Sequence, residues 1–140
     1  MPSIHRSVLL PYPSDRLFDL VNDVAAYPEY LSGCTGVDVI ESSSNQLEAR
    51  LHLSKAGIKQ SFTTRNELNR PNSMTMQLVD GPFTNFEGYW EFKALSEDAT
   101  KISLTLNFEL SNSLLSLAAG KLFEMTANDL LDAIVRRAHQ

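Results

Sequence analysis

Asn22-Asp23-Val24-Ala25-Ala26-Tyr27-Pro28-Glu29-Tyr30-Leu31 interrupts an amphipathic helix in the middle of apolar material. Proline has no backbone N–H and biases the residue before it away from helical angles, so the chain has to bend at Pro28. Tyr27, Tyr30 and Leu31 put apolar bulk on both sides of the bend, and a second short helix or turn must lay that face on something. Upstream, Leu17, Leu20, Val21 and Val24 recur at helical spacing from Asp15 to about Asp23, with Ser14 as a cap. Pro11-Tyr12-Pro13 closes a first strand over Ser3 to Leu10.

Downstream of Cys34 the hydrophobic period becomes two, which is the signature of strands with one buried face. Val37 and Val39 open a strand that Glu41-Ser42-Ser43-Ser44-Asn45 closes. Leu47, Ala49, Leu51 and Leu53 then alternate with Glu48, Arg50, His52 and Ser54, and Lys55-Ala56-Gly57 makes a hairpin. The strand from Ile58 to Leu68 is mixed, because Gln60, Thr64 and Asn66 share a face with Phe62. Either these polar groups are buried and need partners, or a bulge turns half of the strand to solvent. Met74, Met76 and Leu78 face one way, as do Phe86, Gly88, Trp90 and Phe92 in the next strand. Ile102, Leu104, Leu106, Phe108 and Leu110 alternate without a break in the last.

After Ser111-Asn112-Ser113 the period is helical to the C-terminus, a length of about 40 Å at 1.5 Å per residue. Leu115, Ala119, Leu122, Thr126, Leu130 and Ala133 form one stripe, with Asp132 and Arg136 as an i, i+4 pair on the wetter side. One strand, two short helices, six antiparallel strands and a long helix predict an α+β architecture whose curved sheet buries one face on that helix. A bent sheet cannot touch a straight helix along its whole length. Large side chains fill the gap, or a cavity remains.

The charge balance is 12 Lys plus Arg against 17 Asp plus Glu, a net −5, which disfavours bare DNA as the main partner. A single cysteine, Cys34, precludes an internal disulfide and suits a reducing compartment. No secretory signal is evident near Met1 and no apolar run reaches the roughly 18 residues of a membrane span, so a cytoplasmic protein is expected. Residues 1–140 read as a single domain.

Val21-Asn22-Asp23-Val24 leading into Tyr27-Pro28-Glu29-Tyr30-Leu31 and Cys34, together with the element order, resembles the helix-grip (START/Bet v 1-like) superfamily. Within it, the chain is similar to coenzyme Q-binding proteins and to the bacterial ribosome-association toxins of the RatA family. Ser54-Lys55-Ala56-Gly57-Ile58, Phe62-Thr63-Thr64-Arg65-Asn66 and Leu78-Val79-Asp80-Gly81-Pro82-Phe83 carry the bacterial likeness, and the match covers nearly the whole chain. Ser32-Gly33 stands where quinone-binding members often have Pro-Trp, which pulls the resemblance toward the bacterial branch.

The resemblance implies a curved seven-stranded antiparallel sheet wrapped around the C-terminal helix. It also implies a non-enzymatic binder of an apolar ligand, most plausibly ubiquinone or a similar lipid, supporting respiration. Tyr27, Tyr30 and Leu31 would form the mouth of the cavity. Phe62, Thr64, Met74, Met76, Phe86 and Trp90 would line it from the sheet, with Leu104 and Leu106 beyond them. Ala119, Leu122, Phe123 and Thr126 would close it from the helix. The alternative is a RatA-type toxin that binds the 50S ribosomal subunit and blocks 70S assembly. Arg50, Lys55, Lys59 and Arg65, on the wet faces of one hairpin, would then meet rRNA phosphates. Transient contact with the inner membrane surface would accompany lipid uptake.

A polyketide cyclase-like enzyme ranks last, because no acid and base converge on inward positions. His5, His52 and His139 fall on a first strand, a wet face and the tail, and read as surface histidines. Cys34 and the histidines lack metal-ligand spacing, and Gly57, Gly81 and Gly88 form no phosphate-cradling loop. No cofactor is required on this reading.

Overall fold

The computed structural model describes residues 3–55, 57–110 and 114–140, with the side chains of 114–116 and 119 outside the description. Its strands are β1 (Ser3–Leu10), β2 (Cys34–Ser42), β3 (Gln46–Lys55), β4 (Ile58–Asn69), β5 (Ser73–Asp80), β6 (Phe83–Ser96) and β7 (Ala99–Leu110). They form one seven-stranded antiparallel sheet in the order β1-β7-β6-β5-β4-β3-β2, so β1 and β2 are its two edges. The helices are α1 (Ser14–Asn22), α2 (Tyr27–Tyr30) and α3 (Leu114–Ala138), with a 3₁₀ turn over Val24–Ala26. This is the α+β helix-grip architecture expected, and α3 lies across the concave face.

The bend at Pro28 has a different origin from the one expected. α1 has already ended at Asn22, and Pro28 sits in the first turn of α2, where its missing N–H interrupts no helical bond. Ser14 is the first residue of α1 rather than its cap, which is Pro13. The polar residues of β4 follow the buried alternative. Pairing between β3 and β4 is unbroken from Gln46 to Lys55, so Thr64 and Asn66 stay on the inner face. The bulge lies in β5, where Val79 is the extra residue opposite the Thr63–Thr64 step. Gln60 is partly exposed and donates its amide N–H to the Ser61 carbonyl.

Curvature comes from irregular pairing, since a bulge bends its strand and increases twist. Register shifts occur at Cys34/Gly36 and Val39/Glu41 in β2, and at Phe83/Asn85 and Ala94/Ser96 in β6. Gly88 allows the close approach that this bend requires. A β-carbon there would meet the methyl of Met76 and lie 2.9 Å from Leu106 Cδ2. We expect Gly88→Val to cost about 1–3 kcal/mol of stability by overpacking. Urea unfolding should show a lower midpoint at an unchanged slope.

α3 is bonded to the rest of the molecule unevenly. Arg6 donates to the Asn128 carbonyl and pairs with Asp132 at 3.0 Å, Tyr12 meets His139 at 2.7 Å, and Arg16 donates to the Ala138 carbonyl at 2.9 Å. Arg137 reaches Glu29 at 3.3 Å and Lys55 reaches Asp129 at 3.8 Å. Among the described residues, every polar tie from α3 to another element thus falls between 128 and 139. The Asp132 carboxylate is turned to Arg6, a partner in β1, and not paired with Arg136 as the helical spacing suggested. Arg6 also holds that carboxyl below its ordinary range, by its hydrogen bond first.

Candidate functional site: an apolar cavity under the long helix

Sheet and helix do not close fully on each other. A cavity of ≈ 80 Å³ remains between them, and with the space open at its mouth it spans ≈ 680 Å³. β4 contributes Phe62, Thr64 and Asn66; β5 contributes Met74 and Met76; β6 contributes Phe86 and Trp90; β7 contributes Leu104 and Leu106. Phe123, Thr126, Ala127 and Leu130 come from α3, while Tyr27 and Leu31 shut the end next to α2. Lining residues that keep some exposure are Leu51, Met76 and Leu130. Tyr27 and Leu31, expected at the mouth, are 4% and 3% exposed and act as a plug.

Of the other residues expected to line the cavity, Tyr30 stands behind Tyr27, ring centroids 5.9 Å apart, with the Arg137 guanidinium 5.0 Å from its centroid. Leu122 is a buried core residue, 3% exposed, and borders not this cavity but a neighbouring groove with Lys55, Ile58, Leu117, Lys121 and Met125. The Ala119 side chain lies outside the described residues. Val21, Val24, Leu51, Leu53, Ala127 and Leu130 line the cavity without having been singled out. Leu51 and Leu53 carried the signal, since they belong to an alternating strand facing the same way as Leu47.

The chemistry available inside is limited. Tyr27 is the one titratable side chain among the described lining residues, and its hydroxyl already donates to the Val21 carbonyl. Burial pushes its pKa well above the ordinary phenol value. Tyr30, half-buried with its hydroxyl oxygen unpartnered, is pushed up to about 12, again mainly by burial. Cys34 is likewise raised by burial, so its thiol is a poor nucleophile at neutral pH. General acid–base catalysis needs a group whose pKa lies near the working pH, and the lining offers none.

One arrangement on the outer face escaped the sequence reading. His52 lies 2.6 Å from Ser61 Oγ through Nδ1 and 2.7 Å from Asp38 Oδ2 through Nε2. The three come from three adjacent strands, so no sequence spacing announces them. Their order resembles a nucleophile, base and orienting acid, but the Asp38 side chain is 70% exposed. Water screens such a carboxylate and deprives the row of the buried environment that triads exploit.

The cations expected to meet rRNA divide into two groups. Arg50 is bonded to Asp80 at 3.2 Å and Arg65 to Glu48 at 2.7 Å, so both charges are locally matched. Lys59 is exposed, and among the described residues Lys55 has only the long contact to Asp129. Lys121 stands across the surface groove from Lys55.

Residues 10–135 match the family described as polyketide cyclase/dehydrase and lipid transport, and the chain belongs to this START-like family. Its particular kin are bacterial: a ribosome association toxin RatA from Pseudomonas aeruginosa is 47% identical over 137 residues, spanning 98% of this chain and 95% of that protein. Two solved structures carry the fold. The ZhuI aromatase/cyclase from Streptomyces sp. R1128 superposes with a TM-score of 0.84 at 19% identity, over 99% of this chain and 93% of that one. A START superfamily protein from Mycobacterium smegmatis gives 0.79 at 22% identity, over 99% and 97%. Among the described residues no helix is long and apolar enough to cross a membrane.

Proposed function

We propose that this chain associates with the ribosome and inhibits translation, binding the 50S subunit so that it cannot join the 30S. The observation that carries this reading is the 47% identity, over nearly the full length of both proteins, to a relative named as a ribosome association toxin. The contact surface is the free end of the β3–β4 hairpin with the facing turn of α3, where Lys55, Lys59 and Lys121 keep cationic charge on a chain of net −5. Phosphate contacts by such lysines release counterions and make the affinity salt-dependent. Overexpression followed by sucrose-gradient sedimentation tests the function: the 70S peak should fall and free subunits rise. An unchanged 70S peak rejects it. The double change Lys55→Glu and Lys59→Glu should weaken subunit binding by roughly tenfold and flatten its salt dependence, without altering the melting temperature.

A second reading is supported by the cavity. It holds that the chain takes up an apolar ligand, an isoprenoid quinone such as ubiquinone being the finer form of the proposal. Each buried methylene is worth about 0.8 kcal/mol, and the wall is apolar apart from Thr64, Asn66, Thr126 and the Tyr27 hydroxyl. A cavity volume of ≈ 80 Å³ is small for a ring with a tail, so uptake requires the wall to move. Met74 and Met76 are suited to that, because methionine repacks at little cost. Native mass spectrometry of gently purified protein should detect a bound lipid, and consistent absence rejects the carrier reading while leaving ribosome association intact.

A further inference from the structure

One row of side chains crosses the concave face from strand to strand: Leu47, Asn66, Met76, Gly88, Leu106 and Ile4, each opposite the next in register. Every member except Asn66 is apolar. Asn66 is 7% exposed, lines the cavity, and has an amide oxygen, Oδ1, without a hydrogen-bond partner among the described residues. A buried acceptor left unpaired destabilises a fold, whereas an apolar side chain of similar shape does not. Nearby in the lining, Thr126 donates its hydroxyl proton back to the Leu122 carbonyl at 2.9 Å, so its oxygen is left to the cavity as another acceptor. Thr64, whose hydroxyl can donate, and the Asn66 amide complete the polar spots of this otherwise apolar space.

We infer that Asn66 Oδ1 anchors the hydroxyl of an otherwise apolar ligand, so that the cavity selects a hydroxyl-bearing molecule over its hydrocarbon counterpart. This rests on the carrier reading given above and sharpens it.

Small probes test this, because the cavity volume of ≈ 80 Å³ is about half that of an engineered cavity known to admit benzene. p-Cresol and p-xylene, which differ by a hydroxyl in place of a methyl, are titrated into the full chain and into Asn66→Leu, with binding followed by NMR and stability by thermal unfolding. The ratio of p-cresol to p-xylene affinity should fall about tenfold in Asn66→Leu. That variant should melt no lower than the native protein. In the native protein itself, p-cresol and not p-xylene should shift the side-chain amide resonances of Asn66. An equal ratio in both proteins, or amide resonances indifferent to p-cresol, overturns the anchor while p-xylene binding keeps the carrier reading alive. Failure of both probes to bind either protein removes both proposals. A variant that melts lower or does not fold assigns the amide a structural role and overturns the anchor as well.

Discussion

Phe123→Ala should lower the unfolding free energy by about 3–5 kcal/mol, the range for truncating a buried aromatic that leaves a cavity behind. The ring is 6% exposed and sits among four others, with centroid distances of 5.3 Å to Phe62, 5.0 Å to Phe83, 5.7 Å to Phe86 and 5.4 Å to Phe108. The contacts are edge-on, an arrangement that adds to simple area burial. They join the first half of α3 to β4, β6 and β7 in a stretch where the helix has no polar tie to another element among the described residues. Alanine would remove that junction and enlarge the cavity at the same time. Stability and capacity should therefore move in opposite directions: a lower urea midpoint, and tighter uptake of p-xylene. A loss below about 1 kcal/mol would mean that something else holds this half of α3.

Trp90→Ala should cost a similar amount, about 3–5 kcal/mol, from the opposite wall. Trp90 is 2% exposed and stands in register between Met74 and Leu104, both of which line the cavity with it. Its ring stacks on Phe92 at 6.1 Å and 17°, and Phe92 in turn meets Phe18 of α1 at 5.2 Å. Truncation thus loosens both the cavity wall and the seat of α1. Trp90→Phe keeps an aromatic ring in place and should cost distinctly less. Circular dichroism is the measurement to use, since the chain has one tryptophan and the variant loses its fluorescence. Combined with Phe123→Ala, the two changes enlarge one shared space, so their costs should not add.

The elements were legible because their signals were local. Leu104, Leu106 and Phe108 alternate without a break and are buried as that alternation requires, and the helical period after Ser113 marks α3. Leu122 is buried as its place on the apolar stripe requires, but it borders the neighbouring groove, because periodicity gives the buried side of a helix and not which gap each residue reaches. Tyr30 was misread because α2 is only a single turn, whose orientation is fixed by Arg137 from the far end of the chain. The pairing of Arg50 with Asp80, of Arg6 with Asp132 and of His52 with Asp38 joins elements far apart in the chain, which no local pattern reports. The role of Asn66 was half legible. Its parity placed it inside, but its unpartnered oxygen is visible only once the register is known.

The distribution of bonds along α3 makes the helix a cantilever. It is clamped by Arg6, Tyr12, Arg16 and Glu29 over its last three turns, and among the described residues it has no polar tie to another element before Asn128. A beam fixed at one end deflects most at the other, so amide hydrogen exchange should be faster around Phe123 than around Asp132. The Lys55 and Lys121 surface lies toward the free end. Whatever grips that surface presses on the loose end of the lever, and whatever swells the interior lifts it.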